Sequence, residues 1–209
     1  MNNLSIDFTI KSIMIGDSGV GKTTLSKKMT DELINYLECS TIGIDFYSVF
    51  TRINNKKVSL QIWDTAGNER FYHLVKLYFK NNAICFIVYD VCNPTSFDNI
   101  KKWINEFKNN SSNQNAIIVI VANKIDNINK RVITYLQGND FAKLHNVLYI
   151  EVSSVASIGI QRLIEEPLEK LFELYDNKII TSSENFGIKN MKEERMRIKQ
   201  HAKSCCSIL

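Results

Sequence analysis

Gly16-Asp17-Ser18-Gly19-Val20-Gly21-Lys22-Thr23 stands between an apolar run and an amphipathic one. The spacing is GxxxxGK[ST]. Glycines there let consecutive backbone N–H groups converge on phosphate oxygens, and a following helix N-terminus adds partial positive charge. Lys22 would neutralise the outer phosphates, and the Thr23 hydroxyl is placed to ligate Mg²⁺. A phosphorylated ligand is the chemistry this loop predicts.

Three further segments add to it. Asn123-Lys124-Ile125-Asp126 follows an apolar run ending at Ala122. A carboxylate that accepts two parallel hydrogen bonds suits the N1–H and 2-amino edge of guanine, and adenine lacks both donors. Such a site can discriminate on the order of 10⁴-fold in favourable cases. Asp64-Thr65-Ala66-Gly67 follows another strand-like run, with Asp64 a candidate Mg²⁺ holder, through water, and the Gly67 N–H able to reach a terminal phosphate unhindered by a side chain. Thr41 lies in a polar loop where its hydroxyl could complete the ion's coordination.

The elements that must position these residues follow from periodicity. Phe8–Ile15, Phe46–Ile53, Lys57–Trp63, Ala83–Val91, Ala116–Ala122 and Val147–Val152 read as strands, with a hairpin turn at Asn54-Asn55. Helices are expected over Thr23–Leu37, Pro94–Phe107, Asp140–His145 and Ile160–Tyr175, with a kink or restart at Pro167. Strands alternating with helices predict a mainly parallel sheet covered on both faces, with ligands at the strand carboxyl ends. The informative loops follow Ile15, Trp63, Ala122 and Val152, where that rule requires them. From Thr181 onward the polar sequence predicts a flexible tail.

Composition narrows the class. The 209 residues are 44% hydrophobic and 23% charged, which excludes a wholly disordered chain. No apolar run approaches the ~18 residues of a membrane span, and Met1–Thr9 lacks the pattern of a secretory leader, so a cytosolic chain is expected. Cys39, Cys85 and Cys92 are scattered without metal-ligand spacing and read as reduced thiols. From Ile188 to Leu209, Lys189, Lys192, Arg195, Arg197, Lys199 and Lys203 face only Glu193 and Glu194, so this end carries the whole formal charge of +4. The body is neutral, which argues against nucleic acid as its partner.

GDSGVGKT, STIGIDF (Ser40–Phe46), LQIWDTAGNERF (Leu60–Phe71), ANKID and EVSS together resemble the Ras superfamily of small GTPases, most closely its Rab branch. The resemblance covers roughly Phe8–Tyr175. It implies an α/β P-loop NTPase fold, a small G-protein domain (residues 6–177) whose six-stranded, mostly parallel sheet has one antiparallel strand and helices on both faces. Residues 178–209 would be a flexible basic hypervariable tail. GTP and GDP would be the ligands, with Mg²⁺ as cofactor. Asp17, Ser18, Gly19, Val20, Gly21, Lys22, Thr23, Thr24, Ile34, Tyr36, Ser40, Thr41, Gly67, Asn123, Lys124, Asp126, Ser153, Ser154 and Val155 would contact the nucleotide. Thr23, Thr41 and Asp64 would hold the metal, and Asn68, Thr41 and Gly67 would serve hydrolysis. Two switch loops, around Ser40–Phe46 and Asp64–Tyr78, would be ordered by the γ-phosphate. Ile42, Gly43, Ile44, Asp45, Phe46 and Trp63 would form the surface that effectors read.

Three departures from the family pattern matter. Asn68 stands where the family has a glutamine that orients the attacking water; one methylene fewer leaves the amide about 1 Å short, a displacement that can reduce the rate ~10²-fold. Weak intrinsic hydrolysis is expected, with stimulated turnover surviving if an activating protein lends an arginine and a glutamine. Ile34 replaces a stacking phenylalanine, which removes about 1 kcal/mol and predicts faster GDP release, with Tyr36 the nearby ring able to stand in. Glu151-Val152-Ser153-Ser154-Val155 replaces the family's ETSAK, a minor change because Ser154 still has its N–H.

Cys206-Ser207-Ile208-Leu209 fits C-a-a-X with leucine last, favouring geranylgeranyl, and vicinal Cys205 and Cys206 match the branch's pattern for two prenyl groups. Single prenylation, double prenylation and palmitate on Cys205 stay open. Lipid plus basic residues suffice for stable anchoring. The resemblance implies an exchange factor, a GTPase-activating protein, a GDP-dissociation inhibitor, effectors, and a prenyltransferase with its escort protein as partners. It places the chain on the cytoplasmic face of a vesicle, organelle or plasma membrane, with a cytosolic pool. A hydrolysis-impaired, GTP-loaded scaffold is the alternative to a cycling switch. A P-loop kinase or ATPase is disfavoured by ANKID and by the lack of a second substrate domain.

Overall fold

The computed structural model describes residues 5–31, 43–67 and 72–197, except for the side chains of Tyr72 and Leu74. Strands β1 (Phe8–Ile15), β2 (Ile44–Ile53), β3 (Lys56–Thr65), β4 (Ile84–Asp90), β5 (Ile117–Asn123) and β6 (Leu148–Glu151) form one sheet in the order β2-β3-β1-β4-β5-β6. β2 runs antiparallel to β3, and every other neighbour along this path is parallel. This is the expected P-loop NTPase sheet. β4 and β5 are buried almost end to end, as strands covered on both faces must be, whereas edge strand β2 mixes buried and exposed positions. Asn54 and Asn55 join β2 to β3 at φ +48 and +63, the left-handed pair that a two-residue hairpin requires.

Helices close both faces. α1 (Lys22–Met29) and α6 (Ile160–Asp176) lie over one side, where Leu25, Met29, Leu163, Leu168 and Phe172 join Ile10, Met14 and Val121 in a common core. α2 (Tyr72–Leu77), α3 (Pro94–Asp98), α4 (Ile100–Asn110) and α5 (Tyr135–His145) lie over the other. There Ile100, Trp103, Ile104 and Phe107, at i, i+3, i+4 and i+7, bury one stripe of α4. Asn93 caps α3 ahead of Pro94, and Thr134 with Gln137 makes a capping box for α5.

The structure bears on two expectations, the restart at Pro167 and the flexible tail. α6 passes through Pro167 as one element with no restart, because the proline ring is buried on the same stripe as Leu163, Ile164, Leu168 and Leu171. That burial offsets the missing backbone bond. The segment after Thr181 is not a bare tail. Its strand β7 (Ile188–Asn190) pairs antiparallel with β1 through Phe8–Ile10, along the stretch of β1 that β4, paired only with Ser12–Ile15, leaves uncovered. Ile180 and Ile188 are buried, Lys11 N–H donates to Gly187 O at 2.8 Å, and Met191 N–H donates to Asp7 O at 2.9 Å. Gly187 makes the turn at φ +68, where a Cβ would come within 2.4 Å of the Asn81 carbonyl. The expected helix continuation over residues 32–37 lies outside the described residues.

Candidate functional site

The carboxyl ends of β1, β3, β5 and β6 bring four loops together. After β1, Gly16, Gly19 and Gly21 all adopt positive φ. A Cβ on Gly16 would approach the Val88 carbonyl to 2.2 Å, and one on Gly21 would approach Asn123 Nδ2 to 2.6 Å, so side chains are excluded on packing grounds as well. The loop feeds directly into α1. Lys22, Thr23 and Thr24 thus occupy its first turn, whose N–H groups have no acceptor within the helix and form an anion site. Lys22 is buried, and its ammonium donates back to the carbonyls of Gly16 (2.9 Å) and Asp17 (2.7 Å). Burial pushes its pKa down to about 8 against the opposing pull of the Asp64 and Asp17 carboxylates. Ser18 and Gly19 are exposed at the mouth, and Val20 is buried with its carbonyl bonded to Asn123.

Asp64, at the end of β3, is fully buried, and burial raises it to about 6 despite the Thr23 hydrogen bond and the nearby Lys22. Thr23 Oγ1 donates to Asp64 Oδ2 at 2.5 Å, while Asp64 Oδ1 is buried without a hydrogen-bond partner among the described residues. An orphaned carboxylate oxygen beside a hydroxyl is a hard-oxygen donor pair, and it fits Mg²⁺. Gly67 lies on the phosphate loop itself: a Cβ would come within 2.5 Å of the Asp17 carbonyl and of Lys22 Nζ.

The third loop is tied to the first. Asn123 Nδ2 donates to Val20 O at 2.9 Å, and Lys124 Nζ donates to Gly19 O at 2.8 Å while pairing with Asp90 at 2.8 Å. Asn123 Oδ1 accepts from Ser154 Oγ (3.0 Å), Ser154 N–H (3.3 Å) and Lys124 N–H (2.8 Å), so one buried amide joins three loops. The exposed Asp126 carboxylate is oriented by Ser153 Oγ, which donates to Oδ1 at 2.5 Å and accepts from Ala156 N–H at 2.9 Å. Val155 is exposed at the periphery. Beneath the fourth loop Glu151 pairs with Arg131 and accepts from Tyr149 OH at 2.8 Å.

Away from this cleft, Phe46 and Trp63 stack edge-on at 5.1 Å, and Tyr78 joins Trp63 at 5.0 Å. Phe46 is half exposed. Gly43, Ile44 and Asp45 lead into this patch, and Gly43 O accepts from Ala66 N–H at 2.9 Å, stitching the two candidate switch segments together. Ile34, Tyr36, Ser40, Thr41, Ile42, Asn68, Cys205 and Cys206 lie outside the described residues.

Sequence reasoning missed Asp90, Tyr78 and Arg131. Tyr78 carried only a generic apolar signal, and the partners of Asp90 and Arg131 are remote in sequence.

The sequence model of the Ras family matches residues 11–173. The chain is 40% identical over 172 residues to the Ras-related protein Rab-18 of Caenorhabditis elegans, covering 81% of this chain and 84% of the relative. The Rab-18 of Lymnaea stagnalis is 36% identical over 91% of this chain and 93% of its own length. The GTP-binding protein ypt3 of Schizosaccharomyces pombe is 32% identical over 86% and 83%. The family match runs through every loop of the cleft, and relatives of this identity and coverage are Rab proteins: the chain belongs to the Rab family of the Ras superfamily, whose members bind and hydrolyse guanine nucleotides.

Proposed function

We propose that this chain is a membrane-anchored switch that alternates between GDP- and GTP-bound forms and recruits effectors in vesicle trafficking. The observation that supports it best is the bracing of the Asn123–Asp126 loop onto the phosphate loop, through Asn123 to Val20 O and Lys124 to Gly19 O. Base recognition and phosphate binding then share one frame, and a guanine held by Asp126 has its phosphates delivered to Lys22 and the first turn of α1.

In this reading Lys22 exchanges its loop carbonyls for phosphate oxygens, with the α1 N–H groups directed at the same phosphates. Mg²⁺ would be held by Thr23 and Asp64, with Thr41 completing the set, and when bound it supplies charge neutralisation at the β- and γ-phosphates. The Gly67 N–H meets the γ-phosphate, and its loss on hydrolysis releases the segments that carry Gly43–Phe46 and Trp63. The Phe46–Trp63–Tyr78 patch is then the surface presented to effectors. Exchange factor, activating protein, GDP-dissociation inhibitor and prenylation machinery are the partners such a cycle needs. Lipid on Cys205 and Cys206 provides the attachment; among the described residues no helix is long and apolar enough to cross a membrane.

Asn68 favours a second reading, a scaffold that hydrolyses GTP too slowly to cycle by itself. Competition of fluorescent GDP by GTP and ATP tests the common core: micromolar or weaker guanine binding, or a preference for ATP, overturns both readings. Turnover with and without an activating protein separates them.

A further inference from the structure

Asp17 is the residue of the phosphate loop whose carboxylate has two neutral donors from one helix region aimed at it. Trp103 Nε1–H donates to Oδ1 and Asn99 Nδ2–H to Oδ2, each at 2.8 Å. Neither donor belongs to the cleft. Asn99 joins α3 to α4, its N–H accepted by Thr95 O and its own carbonyl accepting from Trp103 N–H, both at 3.1 Å. Trp103 is nearly buried in the core beneath α4. The side chain of a loop residue is thus fixed to a rigid helix by charge-assisted bonds, the stronger kind.

The backbone of Asp17 faces the other way, into the cleft. Its carbonyl accepts from Lys22 Nζ at 2.7 Å, and Gly67 sits so close that a Cβ there would lie 2.5 Å from the same carbonyl. One residue therefore joins α4, the phosphate-neutralising lysine and the segment after β3. One turn along α4, Glu106 pairs with Lys76 of α2 at 3.6 Å, so the helix that holds the phosphate loop also touches the second candidate switch segment.

We propose that Asn99 and Trp103 are positioning residues for the nucleotide: acting through Asp17, they hold the phosphate loop in its receptive shape and set how long guanine nucleotide stays bound. The inference builds on guanine nucleotide binding. Loss of either donor leaves half of the carboxylate without its partner and frees the Asp17 peptide to tilt, which misaligns Lys22 and the N–H groups behind it. The Ser153–Asp126 bond that orients the base-side carboxylate does not involve Asp17.

The test is release of fluorescent GDP from the full chain in Mg²⁺, measured for Trp103→Phe, Asn99→Ala, Asp17→Ala and the doubles with Asp17→Ala. Each donor variant should release GDP roughly three- to tenfold faster, as one charge-assisted bond allows. Trp103→Phe or Asn99→Ala added to Asp17→Ala should give no further acceleration, because the shared acceptor is already gone. Single-variant rates within twofold of the parent overturn the proposal. Doubles whose accelerations multiply also overturn it, as do variants that lose thermal stability while releasing GDP at the parent rate. Asn99 is half-buried, so Asn99→Ala carries the cycle if Trp103→Phe fails to fold. A parent chain that does not retain GDP would instead overturn the proposed function.

Discussion

Thr23 Oγ1 and Asp64 Oδ2 lie 2.5 Å apart across the junction of α1 and β3, and the second oxygen of that carboxylate is buried without a partner among the described residues. The carboxylate is satisfied on one side only, and a divalent cation suits the other. Lys22, equally buried, presents the mirror case of a cation whose best partners are phosphates. Both groups are positioned for a ligand at the expense of the folded chain by itself.

The pH dependence of stability should expose this. A carboxyl raised from 3.8 to about 6 stabilises the fold when protonated, and that contribution is lost as pH rises through about 6. An ammonium lowered from 10.5 to about 8 destabilises the fold while charged, and the penalty fades as pH rises from about 8 toward 10.5. Both penalties therefore apply between about 6 and 8. Stripped of nucleotide and Mg²⁺, the chain should gain more in melting temperature from Mg²⁺ plus GDP at about pH 7 than at about pH 5. Asp64→Asn should raise the stability of the stripped chain at neutral pH, by on the order of 2 kcal/mol, and abolish most of the Mg²⁺-dependent gain. Equal gains at both pH values would contradict this account.

Asn123 and Asp126 should separate in their effects. Asn123→Ala removes the donor to the Val20 carbonyl and the acceptor for Ser154, all at a nearly fully buried position. It should weaken GDP and GTP binding alike, by about 2–4 kcal/mol, and lower the melting temperature. Asp126 is exposed, and Asp126→Asn should leave the melting temperature nearly unchanged while converting the base preference from guanine toward xanthine, whose 2-carbonyl can accept from the new amide. Competition binding with the two nucleotides, beside thermal melts, resolves the pair.

Where the loops of this cleft sit was legible because the signals for it are local. Gly16 to Thr23 and Asn123 to Asp126 are compact motifs, and the apolar runs before them end as strands where the sequence puts them. The braces between those loops were not legible. Nothing in the sequence ties Asn123 to Val20, 103 positions away, or Trp103 to Asp17, 86 positions away, since side-chain hydrogen bonds leave no periodicity. Strand β7 was missed for a related reason. It is three residues long, and its apolar anchors Ile180 and Ile188 are separated by polar sequence, so no alternation could form.

Hydrolysis should respond to the length of one side chain. Asn68→Gln adds the methylene that the family's water-orienting residue has, and single-turnover GTP cleavage should accelerate by roughly 10- to 100-fold without an activating protein. GDP affinity should not change, because in the proposed cycle the amide would act beyond the γ-phosphate, which GDP lacks. Equal single-turnover rates for the parent and variant would remove Asn68 as the cause of slow hydrolysis.

The segment that returns to β1 should behave as part of the folded domain. Ile188 is buried against the sheet, so Ile188→Ala should destabilise the chain by about 2–4 kcal/mol, far more than a substitution in a solvated tail. Deleting residues 181–209 should abolish protection from hydrogen exchange at the Lys11 amide, which donates to Gly187 O at 2.8 Å, while leaving protected the Val152 amide, which donates to Ala122 O at 2.8 Å. The consequence reaches the membrane. Residues 191–197 are helical after β7, and the seven residues between Arg197 and Cys205 could span at most about 25 Å. A lipid-anchored chain with β7 docked is held close to the bilayer, and Ile188→Asp, by undocking the strand, should lengthen that reach. Energy transfer from a donor on the domain to an acceptor in the vesicle surface should therefore fall in the variant; unchanged transfer would mean that the strand does not set the distance.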